Sequence, residues 1–236
     1  MTFPRQILYI DKILNYLSFS NLEDNKNVIK KFKKVFFNNF KTRKVLPLSF
    51  GRFGIYLACK QSILKNKKEV ILSPFTIFDL VNMVILSGSK PVFCDIAENS
   101  NHITLGELKK KVTKNTSCLI LTHYETLNPE LELIYNFCKK KKIKLINDLA
   151  ISIDSKLNNK YLYNFSDFTV YSFGFYKFVS TLQGGALYIK NEKSYNILKK
   201  EIINFKQYKN YDLYGKFFKY FIIKFFLNSL IFNIIT

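Results

Sequence analysis

The sequence predicts an α/β protein built on a mostly parallel central sheet sandwiched by helices. Three observations carry that expectation. From about residue 45 to 190, short apolar runs alternate with longer amphipathic ones. The longer runs begin and end with helix-capping residues. Strands separated by helices of this length favour right-handed crossovers, hence parallel neighbours covered on both faces.

The elements follow in order. Residues 1–44 include NVIKKFKKVFFNNFKTRK, a basic amphipathic helix. Either its lysines form a solvated face, as charge runs usually do, or the helix packs on the domain or at a subunit contact. LPLSF (46–50) leads into Gly51-Arg52-Phe53-Gly54 and the helix IYLACKQSIL. VILS (70–73) reads as a strand, IFDLVNMVILSG (77–88) as a helix ending at Gly88, and PVFCDI (91–96) as the next strand. Thr104-Leu-Gly-Glu107 is a capping box that opens the following helix. CLILT (118–122) is a buried strand. The helix NPELELIYNFCKKKK (128–142) has Asn128 as N-cap, Pro129 at its first position and lysines in its last turn. KLIND (144–148), DFTVYS (167–172) and GALYIK (185–190) supply the remaining strands. The expected division is a basic helical segment over 1–44, an α/β domain over 45–192, and a C-terminal segment over 193–236.

Composition narrows the class. Hydrophobic residues are 48% and charged residues 23%, a balance that excludes wholesale disorder. The formal net charge of +20 is spread along the whole chain among Asn, Ile and Phe, and no nucleic-acid-binding motif accompanies it. A dedicated nucleic-acid role is therefore not expected. Cys59, Cys94, Cys118 and Cys138 are far apart and mostly within apolar runs, so they are read as reduced, buried or half-buried thiols. The N-terminus lacks the h-region and cleavage site of a signal peptide, which makes a cytoplasmic location the expectation.

In parallel sheets, ligands gather outside the carboxyl ends of the strands. That rule selects Gly51 to Gly54, Pro74 to Thr76, His123, Asp148 and the segment from Ser172. Within the last, YSFGFYKFVSTLQGG (171–185) places Lys177 among aromatic residues just ahead of a Gly-Gly pair. A pyridoxal phosphate site needs a lysine for the aldehyde, a carboxylate for the pyridine nitrogen and donors for the phosphate. Asp148 and Lys177 are placed for the first two. Burial among Phe175, Tyr176 and Phe178 would disfavour the charged form of Lys177.

These stretches resemble the DegT/StrS-type sugar aminotransferases, pyridoxal phosphate enzymes of aminotransferase fold type I. The similarity runs through GRFGIYLA (51–58), SPFTIFDLVNMVILSGSKPVFCDI (73–96), THY (122–124), INDLAIS (146–152) and SDFTVYSFGFYKFVSTLQGGAL (166–187). Asp148 and Ala150 fill the family's Asp-x-Ala element; Ser172, Phe173, Lys177, Gly184 and Gly185 fill its Ser-Phe-x-x-x-Lys and Gly-Gly elements. The resemblance implies that Lys177 binds the cofactor aldehyde and moves the proton, and that Ser172 holds the phosphate. It implies that Gly51, Arg52 and Phe53 meet the phosphate through backbone amides. It also brings Thr76 and His123 to the cofactor, although a satisfied core histidine is an equal reading of His123. The family reading retains Lys177, unlike the lysine-less dehydratases of the same family.

The resemblance has departures. Arg52 and Phe53 stand where a small residue and Thr or Ser are common. Ile77 replaces the aromatic residue that stacks on the pyridine ring, with Phe75 or Phe78 as alternatives. Ile151 and Gln183 replace a glutamine and a glutamate. Family members also continue into a C-terminal domain, whereas residues 217–235 here form an apolar run interrupted by Lys219 and Lys224. That run is nearly long enough to span a bilayer, for which about 20 residues are needed. Three readings stand for it: packing against a domain or partner subunit, membrane-surface contact, or spanning. The implied activity is transfer of an amino group from an amino acid, glutamate first, to a nucleotide-linked keto-sugar, by a homodimer. The alternative is a truncated, non-catalytic cofactor-binding relic.

Overall fold

The computed structural model describes residues 25–205, except 99, 125, 175, 176, 181 and 182, together with Gly215, Phe218 and Ile222. The expected apolar run over 217–235 therefore lies outside the described residues, save for Phe218 and Ile222. The chain divides into two units, Met1–Leu198 and Lys199–Thr236. The sheet and the cavity described below belong to the first.

Helix α1 (Asn25–Phe40) carries Phe32, Phe36 and Phe40 at four-residue intervals, which places them on one face. Phe36 is 3% exposed and meets the ring of Tyr171 edge-on at 5.2 Å. Phe40 packs on Tyr161 and Tyr171, and Phe32 on Phe173. The helix ends at Lys41, whose φ of 56° is left-handed and whose N–H donates to the Phe37 carbonyl at 2.8 Å. Tyr161 and Tyr163 donate their hydroxyls to the carbonyls of Asn39 and Phe40, at 2.6 and 2.8 Å. Those carbonyls have no partner inside the helix. Both readings of this segment hold together: Lys30, Lys31 and Lys34 are exposed, while the phenylalanine face packs into the core.

The chain then alternates as expected. Strand β1 (Val45–Leu48) is followed by helix α2 (Gly51–Ser62), β2 (Glu69–Leu72), α3 (Phe78–Leu86), β3 (Lys90–Phe93) and α4 (Leu105–Lys111). Next come β4 (Thr116–Thr122), α5 (Leu131–Lys141), β5 (Lys144–Asp148) and a two-strand hairpin, β6 (Lys156–Leu157) and β7 (Lys160–Tyr161). A 3-10 turn at Leu162–Phe165, strands β8 (Phe168–Ser172) and β9 (Gly185–Ile189), and helix α6 (Glu192–Ile203) complete the described elements.

Seven strands form one sheet in the order β1-β9-β8-β5-β4-β2-β3. The neighbours from β3 through β8 are parallel, and β9 runs antiparallel to both β8 and β1. The mostly parallel sheet is thus present, with one reversed strand. Its strands β4 and β5 are buried over nearly their whole length, as near-continuous apolar runs require.

Local signals set most ends. Thr104 caps α4, its hydroxyl accepting the N–H of Glu107 at 3.2 Å. Gly88, at φ 83°, turns the chain after α3. At α5 the expected boundary shifts. Asn128 accepts the N–H of Glu130 at 2.9 Å and donates to the Ile103 carbonyl at 2.8 Å. It thereby ties two loops together, and the helix starts only at Leu131, leaving Pro129 in the preceding turn. All four cysteines are buried and free, in agreement with the reading of core thiols; burial pushes the Cys138 thiol up to about 12.

Candidate active site

The site begins where β1, β9 and β8 end side by side. Gly185 pairs with Leu48 on one side and Ser172 on the other. A Cβ on Gly185 would fall 2.5 Å from both the Gly51 nitrogen and the Phe50 carbonyl carbon; one on Gly51 would fall 2.8 Å from the Ser172 Cβ. Only glycine permits this approach, and it brings the first turn of α2 against Ser172. No side chain caps that helix, so its first amides keep their capacity to receive an anion.

Strand β5 delivers Asp148 to the same rim. The carboxyl is 7% exposed; one oxygen accepts the Ala150 N–H at 3.0 Å, and the other has no hydrogen-bond partner among the described residues. Burial pushes its pKa up to about 6, against the opposing pull of the Ala150 N–H and of the Lys177 charge. Lys177 is half-buried in a turn closed by its N–H to the Gly174 carbonyl at 3.1 Å.

Gly51, Arg52, Asp148, Ser172 and Lys177 line one cavity of about 360 Å³. The size falls within the range of small-molecule sites, roughly 300–1,000 Å³. Ile77, Ala150 and Val170 supply its apolar walls. At the position expected to carry a stacking aromatic, Ile77 itself therefore faces the cavity. Neither Phe75, which packs on Tyr124 at 5.0 Å, nor the exposed Phe78 lines it.

The other predicted residues stand back from this cavity. Phe53 stacks on Tyr56 at 5.8 Å. Thr76 sits in a turn, its N–H on the Pro74 carbonyl at 2.9 Å. His123 is fully buried: Nε2 lies 3.2 Å from Asn147 Oδ1, and because Asn147 Nδ2 donates to the Leu162 carbonyl, the ring donates and Oδ1 accepts. Its Nδ1 has no partner, and burial lowers its pKa to about 4, so the ring is neutral. The backbone of His123 does reach the site, donating its N–H to the Asp148 carbonyl at 3.0 Å. Phe175 and Tyr176 of the expected aromatic collar lie outside the described residues; Phe178 is 73% exposed and does not enclose Lys177.

Sequence reasoning missed one member. Asp79, in the first turn of α3, lines the cavity and forms an ion pair with Arg52. Its only local signal is an acidic side chain at a helix start, which has the ordinary explanation of the helix dipole.

The donor set fits pyridoxal phosphate. An amine is present for the aldehyde, and a buried carboxylate with an unpaired oxygen for a protonated ring nitrogen. An uncapped helix start with a serine and an arginine is available for the phosphate.

A mostly parallel seven-stranded sheet with these groups on one rim has the large-domain architecture of the fold type I aminotransferases. One solved structure of this kind is a putative sugar aminotransferase from Streptococcus pneumoniae in its PLP form. It superposes with a TM-score of 0.66 at 19% identity, over 74% of this chain and 49% of that one. The chain belongs to the DegT/DnrJ/EryC1/StrS aminotransferase family, whose model matches residues 10–211. Among curated relatives, the dTDP-4-dehydro-2,3,6-trideoxy-D-glucose 4-aminotransferase of Saccharopolyspora spinosa is 28% identical over 61% of this chain and 38% of its own. The GDP-perosamine synthase of Escherichia coli O157:H7 is 26% identical over 71% of this chain and 46% of its own. The chain spans less than half the length of these relatives.

Proposed function

We propose that the chain is the cofactor-binding part of a pyridoxal-phosphate-dependent aminotransferase. The reaction moves an amino group from an amino acid, glutamate first, to the keto carbon of a nucleotide-linked sugar. The observation that carries the reading is the convergence of Lys177, Asp148, Ser172 and the start of α2 on one cavity. Residues 45–192 form the cofactor domain, and the working species is a cytoplasmic homodimer. Among the described residues, no helix is long and apolar enough to cross a membrane. The family membership and the nucleotide-sugar aminotransferases among the relatives support the substrate class.

When bound, the cofactor supplies an electron sink for the carbanion formed at the amino-acid α-carbon. The chain supplies the rest. Asp148, ionised, would face the ring nitrogen and keep it protonated. Ser172 and the first amides of α2 would bind and orient the phosphate. Lys177 Nζ would hold the aldehyde. As a free amine it would be the base that takes the proton from the donor's α-carbon and, in the opposite sense, the acid that returns one to the sugar carbon receiving nitrogen. Ile77, Ala150 and Val170 keep water from the ring. His123 anchors the strand end through its N–H to the Asp148 carbonyl.

The test is covalent trapping. The protein incubated with pyridoxal phosphate and reduced with borohydride should gain one phosphopyridoxyl group, the cofactor less one water plus two hydrogens, on the peptide containing Lys177. The Lys177→Ala variant, folded by circular dichroism, should gain none. Absence of label in the parent sinks the cofactor assignment. Glutamate added before reduction should lower the trapped fraction by freeing Lys177. Full trapping despite glutamate selects the alternative, a non-catalytic cofactor-binding protein.

A further inference from the structure

We propose that the side chain of Arg52 is the main charged partner of the ligand's phosphate, held for that role by Asp79 and Phe50. The inference rests on the function just proposed. It assigns work to a side chain where resemblance assigned only backbone amides.

Arg52 is the second residue of α2, at the uncapped start of a 12-residue helix. Its guanidinium pairs with Asp79 of α3 and lies 4.9 Å over the ring of Phe50. Arg52, Asp79 and Phe50 all line the cavity that holds Ser172 and Lys177. A guanidinium has five N–H donors, and one carboxylate occupies at most two in bidentate pairing. Among the described residues Arg52 makes no hydrogen bond except to Asp79, so donors remain. The two anchors fix the fork's plane and position without consuming it, which limits the entropy lost when it meets an anion. Asp148 independently marks the cavity as a ligand site: it is 7% exposed, and one oxygen lacks a partner.

Charge counting shows why the side chain is needed. Lys177 and Arg52 bring two positive charges to the cavity, Asp148 and Asp79 two negative ones. The sum is zero, leaving only the helix start, worth roughly half a charge, to favour a dianion. Without Arg52 the lining is net negative and opposes a phosphate. A neutral ligand of the same shape would be indifferent to the change.

The experiment compares pyridoxal phosphate with pyridoxal, which lacks the phosphate, by calorimetric titration of the parent, Arg52→Ala and Arg52→Lys. Loss of a charge-assisted contact should weaken pyridoxal phosphate by about 10- to 100-fold in Arg52→Ala. Pyridoxal should change by less than about threefold on the same basis, since only the phosphate contact is removed. Arg52→Lys should fall between, because it keeps the charge and loses the fork. The dependence of pyridoxal phosphate affinity on salt should also be shallower in Arg52→Ala than in the parent, a comparison that survives modest changes in stability. If the parent binds pyridoxal phosphate and Arg52→Ala keeps the same preference over pyridoxal, this inference fails and the cofactor reading stands. If the parent binds neither ligand, both fail.

Discussion

Replacing Asp148 with Asn should make the cofactor-free protein more stable at neutral pH while weakening its hold on pyridoxal phosphate. The magnitude follows from the buried carboxyl, whose pKa is pushed from 3.8 to about 6. Because the folded pKa lies above the unfolded one, the folded state binds the proton more tightly between these values. Stability present at low pH is lost as pH rises through this window. Above pH 6 the parent carries the whole penalty, about 2 pKa units or roughly 3 kcal/mol. Asn keeps an oxygen for the Ala150 N–H and has no charge to desolvate, and the value of about 6 already includes the attraction to Lys177. The gain should therefore be roughly 3 kcal/mol near pH 8 and close to zero near pH 4. For a chain of this size that is a rise of about 6–12 °C in melting temperature. Thermal melts of parent and variant at pH 4, 6 and 8, without cofactor, measure it. A variant less stable than the parent at pH 8, or a difference independent of pH, would refute the reasoning. Added pyridoxal phosphate should then raise the parent's melting temperature by mass action and the variant's much less.

Two further substitutions test the frame that presents the site. Gly185→Ala would drive a Cβ to 2.5 Å from backbone atoms of Gly51 and Phe50, which cannot yield as a side-chain end can; urea unfolding should show a loss of about 3 kcal/mol together with weaker phosphate-ligand binding. Gly54→Ala meets only the side-chain ends of Leu48 and Val170 at 3.2–3.3 Å and should cost about 1 kcal/mol or less; equal losses at the two glycines would contradict the account. Phe36→Ala empties a side chain that is 3% exposed beneath Tyr171 and should cost about 3–5 kcal/mol, whereas a near-silent change would mean that α1 is not part of the core.

The alternation of elements was readable because its signals are local. KLIND becomes β5 at the expected residues, and Thr104 caps α4 through the capping-box hydrogen bond to Glu107. Asn128 does accept the N–H two residues on, as a cap would, but the helix begins only at Leu131, and its amide reaches the Ile103 carbonyl, a partner 25 residues away that no local pattern announces. The reversal of β9 is signalled only weakly: 12 residues join Ser172 to Gly185, the least that a parallel connection with its usual helix requires. The two stripes of α1 were both visible in NVIKKFKKVFFNNF, but which surface the phenylalanines meet depends on β8 and the 161–163 turn, far along the chain.

At the site, Asp148, Ser172 and Gly51 were legible as strand ends and a helix start, since a parallel sheet carries such positions to one rim. The Arg52–Asp79 pair was not, because it joins the first turns of two helices 27 residues apart. That pair alters what the cavity selects. An unpartnered carboxylate oxygen on Asp148 favours a cation at one end of a ligand, and the unspent donors of Arg52 favour an anion at the other. A ligand carrying only the anion leaves the desolvation of Asp148 unrelieved; one carrying only the cation leaves Arg52 bound to Asp79 alone. A flat heterocycle with a protonated ring nitrogen and a phosphate arm meets both demands at once. The two substitutions should therefore each erode affinity for the doubly charged ligand, by separable routes: Asp148→Asn through the ring and Arg52→Ala through the phosphate. Affinity for pyridoxal should register only the first.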